Sequence, residues 1–159
     1  MPFEIRQLTR DEGPLLRRLR LAALSDAPEQ LGEALDVALA RTGEAWADAA
    51  PAAYVALLDA EPVGMVYAFR DPSDAASARL GGMWVAPSAR RHGLGLALVQ
   101  AVRSWAKANA ADRVRLWVVP STPAERLYLR AGFVATGARK AFSGQDTRAV
   151  IELEATLQP

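Results

Sequence analysis

A strand, a turn and a helix meet within Met83–Gly95, where residue types suited to anion binding are concentrated. An apolar run comes first, Arg90 and Arg91 then supply positive charge, and Gly93 and Gly95 leave little side-chain bulk. Backbone N–H groups of such a turn can surround an anion, and the N-terminus of the following helix directs partial positive charge to the same point. The segment therefore predicts a phosphate-binding turn.

Two common classes of phosphate-binding loop do not fit this turn. A Walker loop ends in Gly-Lys-Ser/Thr, and the chain has no such sequence. The dinucleotide fingerprint needs a third small residue where Leu98 stands. It also needs an acid after the next strand, where Val118-Val119-Pro120 stands. The turn is thus predicted to bind a phosphate of another kind of ligand.

The elements around the turn predict a strand–helix–strand unit over Ala78–Val119. Its helix is indicated by Leu94, Leu98, Val102 and Trp105, which recur at helical spacing. A crossover of this length permits parallel pairing of the two strands. Further strands are predicted at 3–8, 53–58, 63–69, 133–136 and 148–153. A helix capped by Thr9 or Asp11 is predicted to run through Leu15, Leu16, Leu19 and Ala23, and another helix is predicted at 31–49. A hairpin between the second and third strands is predicted to turn within residues 59–62, with Pro62 as a turn residue.

Composition limits the class of protein. The chain has 159 residues, 51% hydrophobic and 23% charged, which favours one folded domain over residues 1–159. It has no cysteine, which excludes disulfides, thiolate metal sites and a cysteine nucleophile. No secretory signal or membrane-spanning run is visible, so we expect a cytoplasmic protein.

Charge is distributed unevenly although the net charge is only +1. Residues 25–61 hold eight acids against one base, whereas residues 75–124, which include the turn, hold one acid against seven bases. Solvated helix faces are the commoner source of such runs. The alternative is a bipolar site, with a polyanion on one side and a cation on the other.

Two motifs together resemble a known family. The sequence Arg90–Gly95 matches Arg/Gln-x-x-Gly-x-Gly/Ala and follows Val85-Ala86-Pro87, and Leu127-Tyr128-Leu129-Arg130-Ala131-Gly132-Phe133 comes further along the chain. This combination closely resembles the GNAT superfamily of acetyl-CoA-dependent N-acetyltransferases, over essentially the whole chain. The resemblance implies an α/β fold with a mixed, mostly antiparallel sheet and a parallel strand–helix–strand crossover at the CoA site.

The resemblance also implies a set of site residues. Acetyl-CoA would bind as co-substrate, and Tyr128 would be the acid that protonates the leaving thiolate. The strand ending at Ala86 would bind the pantetheine arm, and a backbone N–H near Trp84 or Val85 would polarise the thioester carbonyl. The residues implied in CoA binding are Trp84, Val85, Ala86, Arg90, Arg91, His92, Gly93, Leu94, Gly95, Ser121 and Tyr128.

The chain departs from the family pattern at two positions. Many members carry a glutamate on the central strand as the base, and Leu80–Ala86 contains no acid. Glu33 or Asp36, on helices expected to wall the acceptor side, or a water chain would replace it. Ser121 stands where many members have asparagine, and it would bind pantetheine or cap the next helix.

These observations predict an N-acetyltransferase in which a primary amine attacks the thioester directly in a ternary complex. The acidic segment motivates a cationic acceptor, namely a polyamine, a lysine or a peptide N-terminus. The alternative is a non-catalytic CoA-binding or sensing module on the same fold. We expect no metal, nucleic acid or membrane partner, and the edges of the closing strands would permit a homodimer.

Overall fold

Seven strands form one mixed sheet in the computed structural model, which describes residues 2–142 and 147–157. In chain order they are β1 (Phe3–Gln7), β2 (Ala53–Leu58), β3 (Glu61–Arg70), β4 (Ser77–Val85), β5 (Arg113–Val118), β6 (Val134–Ala141) and β7 (Ala149–Thr156). The spatial order is β1-β2-β3-β4-β5-β7-β6. The β4–β5 pair is parallel and the other pairs are antiparallel. The predicted fold class is therefore confirmed.

Helices cover both faces of this sheet. They are α1 (Gly13–Asp26), α2 (Pro28–Leu31), α3 (Leu35–Leu39), α4 (Gly43–Ala49), α5 (Leu94–Ala108) and α6 (Pro123–Arg130). Helix α5 is the crossover between β4 and β5, and its apolar stripe joins a core with Leu80 and Leu116. Helices α1 and α4 pack on the opposite face, in a second core with Val55 and Met65. The sheet thus separates an α5 face from an α1 face.

The segment predicted as one helix over 31–49 is divided into shorter pieces. Gly32 follows α2 with a φ of 66°, a left-handed conformation that favours glycine and ends the helix. A Cβ on Gly32 would lie 2.6 Å from the Phe142 ring, so the glycine also lets α2 pack against that ring. Thr42 caps α4 by accepting a hydrogen bond from the Ala45 N–H.

The β2–β3 hairpin is turned by Asp59 and Ala60 rather than by Pro62. Both residues have positive φ, of 50° and 69°, as the tight primed hairpin turns require at their central positions. Pro62 lies within β3 opposite Leu57. The predicted hairpin is confirmed, and its turn lies within the predicted residues 59–62, but Pro62 is a strand residue and not a turn residue.

The feature that positions the site is the separation of β4 from β5. The two strands pair over Ser77–Arg79 and Arg113–Arg115 and no further, after which β5 continues its pairing with β7 and β4 with β3. In β4, Gly82 and Met83 together oppose the single residue Val66, because Tyr67 pairs with Gly81 and Met65 with Trp84. Such a bulge bends the strand, so an opening forms beside it in the middle of the sheet.

Candidate functional site

A cavity of about 230 Å³ lies in the opening between β4 and β5. Met83, Val118 and Tyr128 line it on the α5 face, and Val119 lines it as well. The other lining residues include Leu31 of α2, together with Gln30, Phe69, Arg79, Gly81, Gly82, Trp117, Thr122, Ala124 and Phe142. Because α6 and α2 lie on opposite faces, the cavity passes through the sheet and connects them.

The turn before α5 presents a row of unpaired backbone donors at one end of this opening. Among the described residues, none accepts a hydrogen bond from the backbone N–H groups of residues 91–96. Arg91 and Gly93 have positive φ, of 68° and 79°, which folds the chain tightly into the first turn of α5. Unpaired N–H groups and the helix dipole together give this turn the donors and the partial positive charge that an anion site requires.

The two arginines of the turn have different surroundings. Arg90 donates from Nη2 to Asp26 at 2.9 Å and from Nε to the Val85 carbonyl at 3.0 Å, so its guanidinium joins the end of β4 to α1. The Arg90 N–H donates to Pro87. Arg91 and His92 have exposed side chains. Of these side chains, Arg91 therefore carries a charge free to meet an anion at the turn.

Strand alternation selects which β4 backbone groups face the opening. The Ala86 N–H donates to the Val63 carbonyl at 2.7 Å, and the Trp84 carbonyl lies 2.9 Å from the position of a Cβ on Gly64. Both groups therefore point towards β3. Since neighbouring residues of a strand present their backbone groups to opposite edges, the Val85 N–H faces the opening.

Tyr128 lies at the α5-face end of the cavity. It is buried, and its ring packs at 5.9 Å from the Phe133 ring at an angle of 58°. Burial raises the pKa of the Tyr128 phenol above its ordinary value. Its hydroxyl has no hydrogen-bond partner among the described residues. The phenol is therefore neutral and able to donate a hydrogen bond into the cavity.

A family model places this geometry in context. The model described as the acetyltransferase (GNAT) family matches residues 16–133. The chain belongs to the GNAT acetyltransferase family. The match begins within α1 and includes the turn before α5 and the whole of α6.

Solved structures share the fold of this chain at low sequence identity. A GNAT-family acetyltransferase from Streptococcus pneumoniae is 19% identical with a TM-score of 0.80, covering 99% of this chain and 100% of that one. Ard1 from Thermoplasma volcanium is 21% identical with a TM-score of 0.76, covering 100% of both chains. The protein yncA from Salmonella typhimurium, solved with its cofactor acetyl-CoA, is 16% identical with a TM-score of 0.75, covering 100% of this chain and 96% of that one.

No curated protein matched the sequence. Among residues 2–142 and 147–157, no helix has the length and apolar character needed to cross a membrane. The same residues contain no group of three histidine or acidic side chains arranged to hold a metal ion.

Ser121 is not the helix cap. Thr122 caps α6 by accepting a hydrogen bond from the Glu125 N–H at 3.3 Å, and Glu125 in turn accepts one from the Ser121 N–H at 2.8 Å. Ser121 is exposed with a φ of 64°. The capping prediction is corrected by one residue, because the helix begins at Pro123, one position later than an N-cap at Ser121 requires.

Glu33 lies on the α1 face and is held by two arginines. Its carboxylate accepts hydrogen bonds from Arg20 Nε at 3.3 Å and from Arg41. Asp36 is exposed and accepts a hydrogen bond from the Val37 N–H. Of the two predicted base candidates, Glu33 thus lines a cavity, and both of its oxygens are already engaged.

Several residues of the α1 face were not singled out from the sequence. Arg20 is buried, and it lies among the apolar positions of α1 at helical spacing from Leu16 and Ala23. A charged residue within an apolar stripe is unusual and could have marked Arg20 as functional. No comparable signal marks Arg79 or Trp117, because each alternates with buried apolar residues along its strand, as is usual for a half-buried position.

Proposed function

We propose that this GNAT-family chain transfers an acetyl group from acetyl-CoA to a primary amine. The observation that carries the proposal is the opening between β4 and β5, which lies next to the unpaired N–H groups of residues 91–96. An elongated ligand with a phosphate group at one end fits this arrangement. The yncA structure with acetyl-CoA supports the choice of acetyl-CoA.

Each part of the donor meets a group of matching chemistry. The pyrophosphate accepts hydrogen bonds from the 91–96 backbone, with Arg91 adding positive charge. The pantetheine arm enters between β4 and β5. The thioester carbonyl accepts a hydrogen bond from the Val85 N–H, which stabilises the negative charge that develops on that oxygen.

The acceptor amine approaches from the α1 face through the cavity beside Gly82. Its ammonium form first loses a proton, since it has no lone pair. The nitrogen then attacks the thioester carbon, the carbon–sulfur bond breaks, and the thiolate takes up a proton. The products are the acetylated amine and CoA, with one proton released to solvent.

Tyr128 is the group we assign to the leaving thiolate. Its raised pKa makes it a weaker acid than an ordinary phenol, so the hydroxyl stabilises the thiolate chiefly by hydrogen bonding. Either Glu33 or a water chain takes the proton from the ammonium, because β4 has no acid at the bulge. The lack of an acidic residue on β4 also favours the alternative function, a module that binds CoA and does not catalyse acetyl transfer.

A ligand screen followed by an activity assay tests the proposal. Acetyl-CoA should raise the melting temperature, whereas ATP and NAD should not, because a ligand that binds the native state stabilises it by mass action. Longer acyl-CoAs would report the acyl preference. Release of CoA with a panel of primary amines should then exceed the rate without amine. Stabilisation by acetyl-CoA with no amine-dependent release would support the binding module instead.

A further inference from the structure

A second cavity lies on the α1 face beside the β4 bulge. It has a volume of about 330 Å³, and its polar walls are Arg20, Glu33, Arg41, Trp46 and Tyr67. A Cβ on Gly82 would lie 3.1 Å from Arg20 Nη1 and 2.7 Å from the Tyr67 ring. Arg20 and Tyr67 of this cavity therefore lie next to Gly82, which lines the opening through which the acceptor amine approaches β4. The volume of the cavity is that of a small-molecule site.

Two residues that line this cavity each carry a buried donor with no acceptor among residues 2–142 and 147–157. The donors are Arg20 Nη1 and Trp46 Nε1, and their residues are only 7% and 2% exposed. A buried donor left unpaired costs free energy, more so when it is charged. Because both groups are N–H donors on residues that wall the same cavity, a ligand that pairs with them has to offer hydrogen-bond acceptors, and the two oxygens of a carboxylate are such acceptors.

The charge of the cavity favours an anion. Arg20 and Arg41 face the single carboxylate of Glu33, which leaves one uncompensated positive charge among the lining residues. Two other acids of the acidic segment are also paired with arginines, Asp26 with Arg90 and Asp48 with Arg10. With Glu33, three of the eight acids of the acidic segment are therefore paired with arginines in the folded chain, and these three include the acid that lines this cavity.

We propose that the acceptor amine carries a carboxylate, which binds Arg20 and Trp46 in this cavity, so that the substrate class is an amino acid. The proposal rests on the proposed acetyltransferase function. Arg20 Nη1 adjoins Gly82, so a carboxylate on Arg20 leaves a nitrogen only a few bonds away beside the β4 bulge. Arg41 adds a second guanidinium at the cavity and Tyr67 an aromatic wall for the substrate side chain.

The test compares amines that differ only in the carboxylate. The panel consists of the α-amino acids, their carboxamides, and the amines obtained by removing the carboxylate. It also includes β- and γ-amino acids. Spermidine and a blocked lysine test the alternative of a cationic acceptor. With acetyl-CoA fixed, kcat/KM for at least one amino acid should exceed that of its carboxamide by about tenfold or more. The β- and γ-amino acids measure the distance between the carboxylate and the reacting nitrogen.

Two variants assign the preference to this cavity. Arg20→Met should abolish the preference for the acid over its carboxamide, while Arg20→Lys should retain part of it. Trp46→Phe keeps the ring and removes the N–H, and it should lower kcat/KM for the acid by about threefold to tenfold. Arg10→Met is the matched control, because Arg10 pairs with Asp48 on the exposed surface. Binding of acetyl-CoA should be unchanged in all of these variants.

The outcomes separate this proposal from the proposed function. Turnover of carboxamides, plain amines or spermidine equal to that of the acids would overturn the carboxylate site and leave the acetyltransferase intact. Melting-temperature shifts by the amino acids in the presence of CoA provide a second readout. A shift that Arg20→Met removes, without turnover of any amine, would support the carboxylate site and overturn the transferase. The absence of both a melting-temperature shift and turnover would overturn both proposals.

Discussion

The two halves of the site are built in opposite ways. On the α5 face, the groups assigned to the donor come from the β4–α5 turn and from α6, and the decisive groups at the turn are backbone N–H groups. On the α1 face, the groups around the second cavity are side chains from α1, β3, α4 and the segments between the short helices. The half assigned to the donor is held by apolar packing, and the half assigned to the acceptor contains ion pairs and buried charge.

This difference indicates which half can vary among family members. Backbone N–H groups bind a pyrophosphate whatever the neighbouring side chains are, so the donor half tolerates sequence change once its glycines are kept. Recognition by Arg20 or Trp46 depends on side-chain identity. We therefore expect changes in the donor half to affect use of acetyl-CoA with every amine, and changes in the acceptor half to affect individual amines.

The largest expected effect concerns Tyr128. Tyr128→Phe removes the hydroxyl assigned to the thiolate and should lower kcat by roughly tenfold to a hundredfold with every amine, with little change in KM for acetyl-CoA. Because burial raises the pKa of the Tyr128 phenol, it stays protonated across the assay range, and the pH–rate profile should fall in height without moving its limbs. Tyr54→Phe on β2 is the control, and steady-state kinetics are the measurement. A normal kcat in Tyr128→Phe would contradict the assignment.

Gly93 tests whether the donor half depends on backbone conformation. Gly93 and Gly137 have φ of 79° and 95°, and a Cβ at either position would meet no other atom within 4 Å. Alanine at either site should cost about 1 kcal/mol of stability through backbone strain alone. Gly93→Ala should in addition weaken acetyl-CoA binding by about tenfold, measured by calorimetry, because it shifts the N–H groups of the turn. Equal binding by both variants would argue against the phosphate turn.

The arginines of the turn should show smaller and separable effects. Arg91→Gln should weaken acetyl-CoA binding by about threefold at low salt, and the difference should shrink as salt screens the charge. Arg90→Gln should leave binding unchanged and lower the melting temperature slightly, since Arg90 pairs with Asp26. Titrations at two salt concentrations and thermal unfolding give the two readouts. Weaker acetyl-CoA binding by Arg90→Gln together with unchanged binding by Arg91→Gln would show that Arg90 is the phosphate contact.

The smallest effect concerns the ion pair that anchors the start of α1. Arg6 donates two hydrogen bonds of 2.8 Å to Glu12, which lowers the pKa of that carboxyl from 4.5 to about 2. Because the folded-state pKa is depressed, the stability that Glu12 contributes is present above 4.5 and is lost as the pH falls towards 2. Glu12→Gln should therefore lower the free energy of unfolding by about 1 kcal/mol or less at neutral pH, and the difference should vanish in acid. Urea unfolding at a series of pH values measures it, and a pH-independent difference would contradict this account.

The short-range features of the chain were predictable from their residues. The crossover over β4, α5 and β5 follows from an apolar stripe at helical spacing between two strands, and the turn from Gly93 and Gly95. The prediction of one helix over 31–49 failed because weak apolar periodicity does not specify a continuous helix, and packing of Gly32 against Phe142 decided the break. The cap of α6 was misplaced by one residue because Ser121 and Thr122 are both capable of capping.

The sequence by itself determined the family, the fold class and the position of the turn before α5, because these depend on glycines, periodicity and contacts between residues close in the chain. Only the tertiary structure decided what the charged residues do. It paired Asp26 with Arg90 across the sheet edge, engaged Glu33 with two arginines, and brought Arg20 to Gly82 of the β4 bulge. The physical reason is that the effect of a charge depends on its partner and its burial, and both are set by residues distant in the sequence.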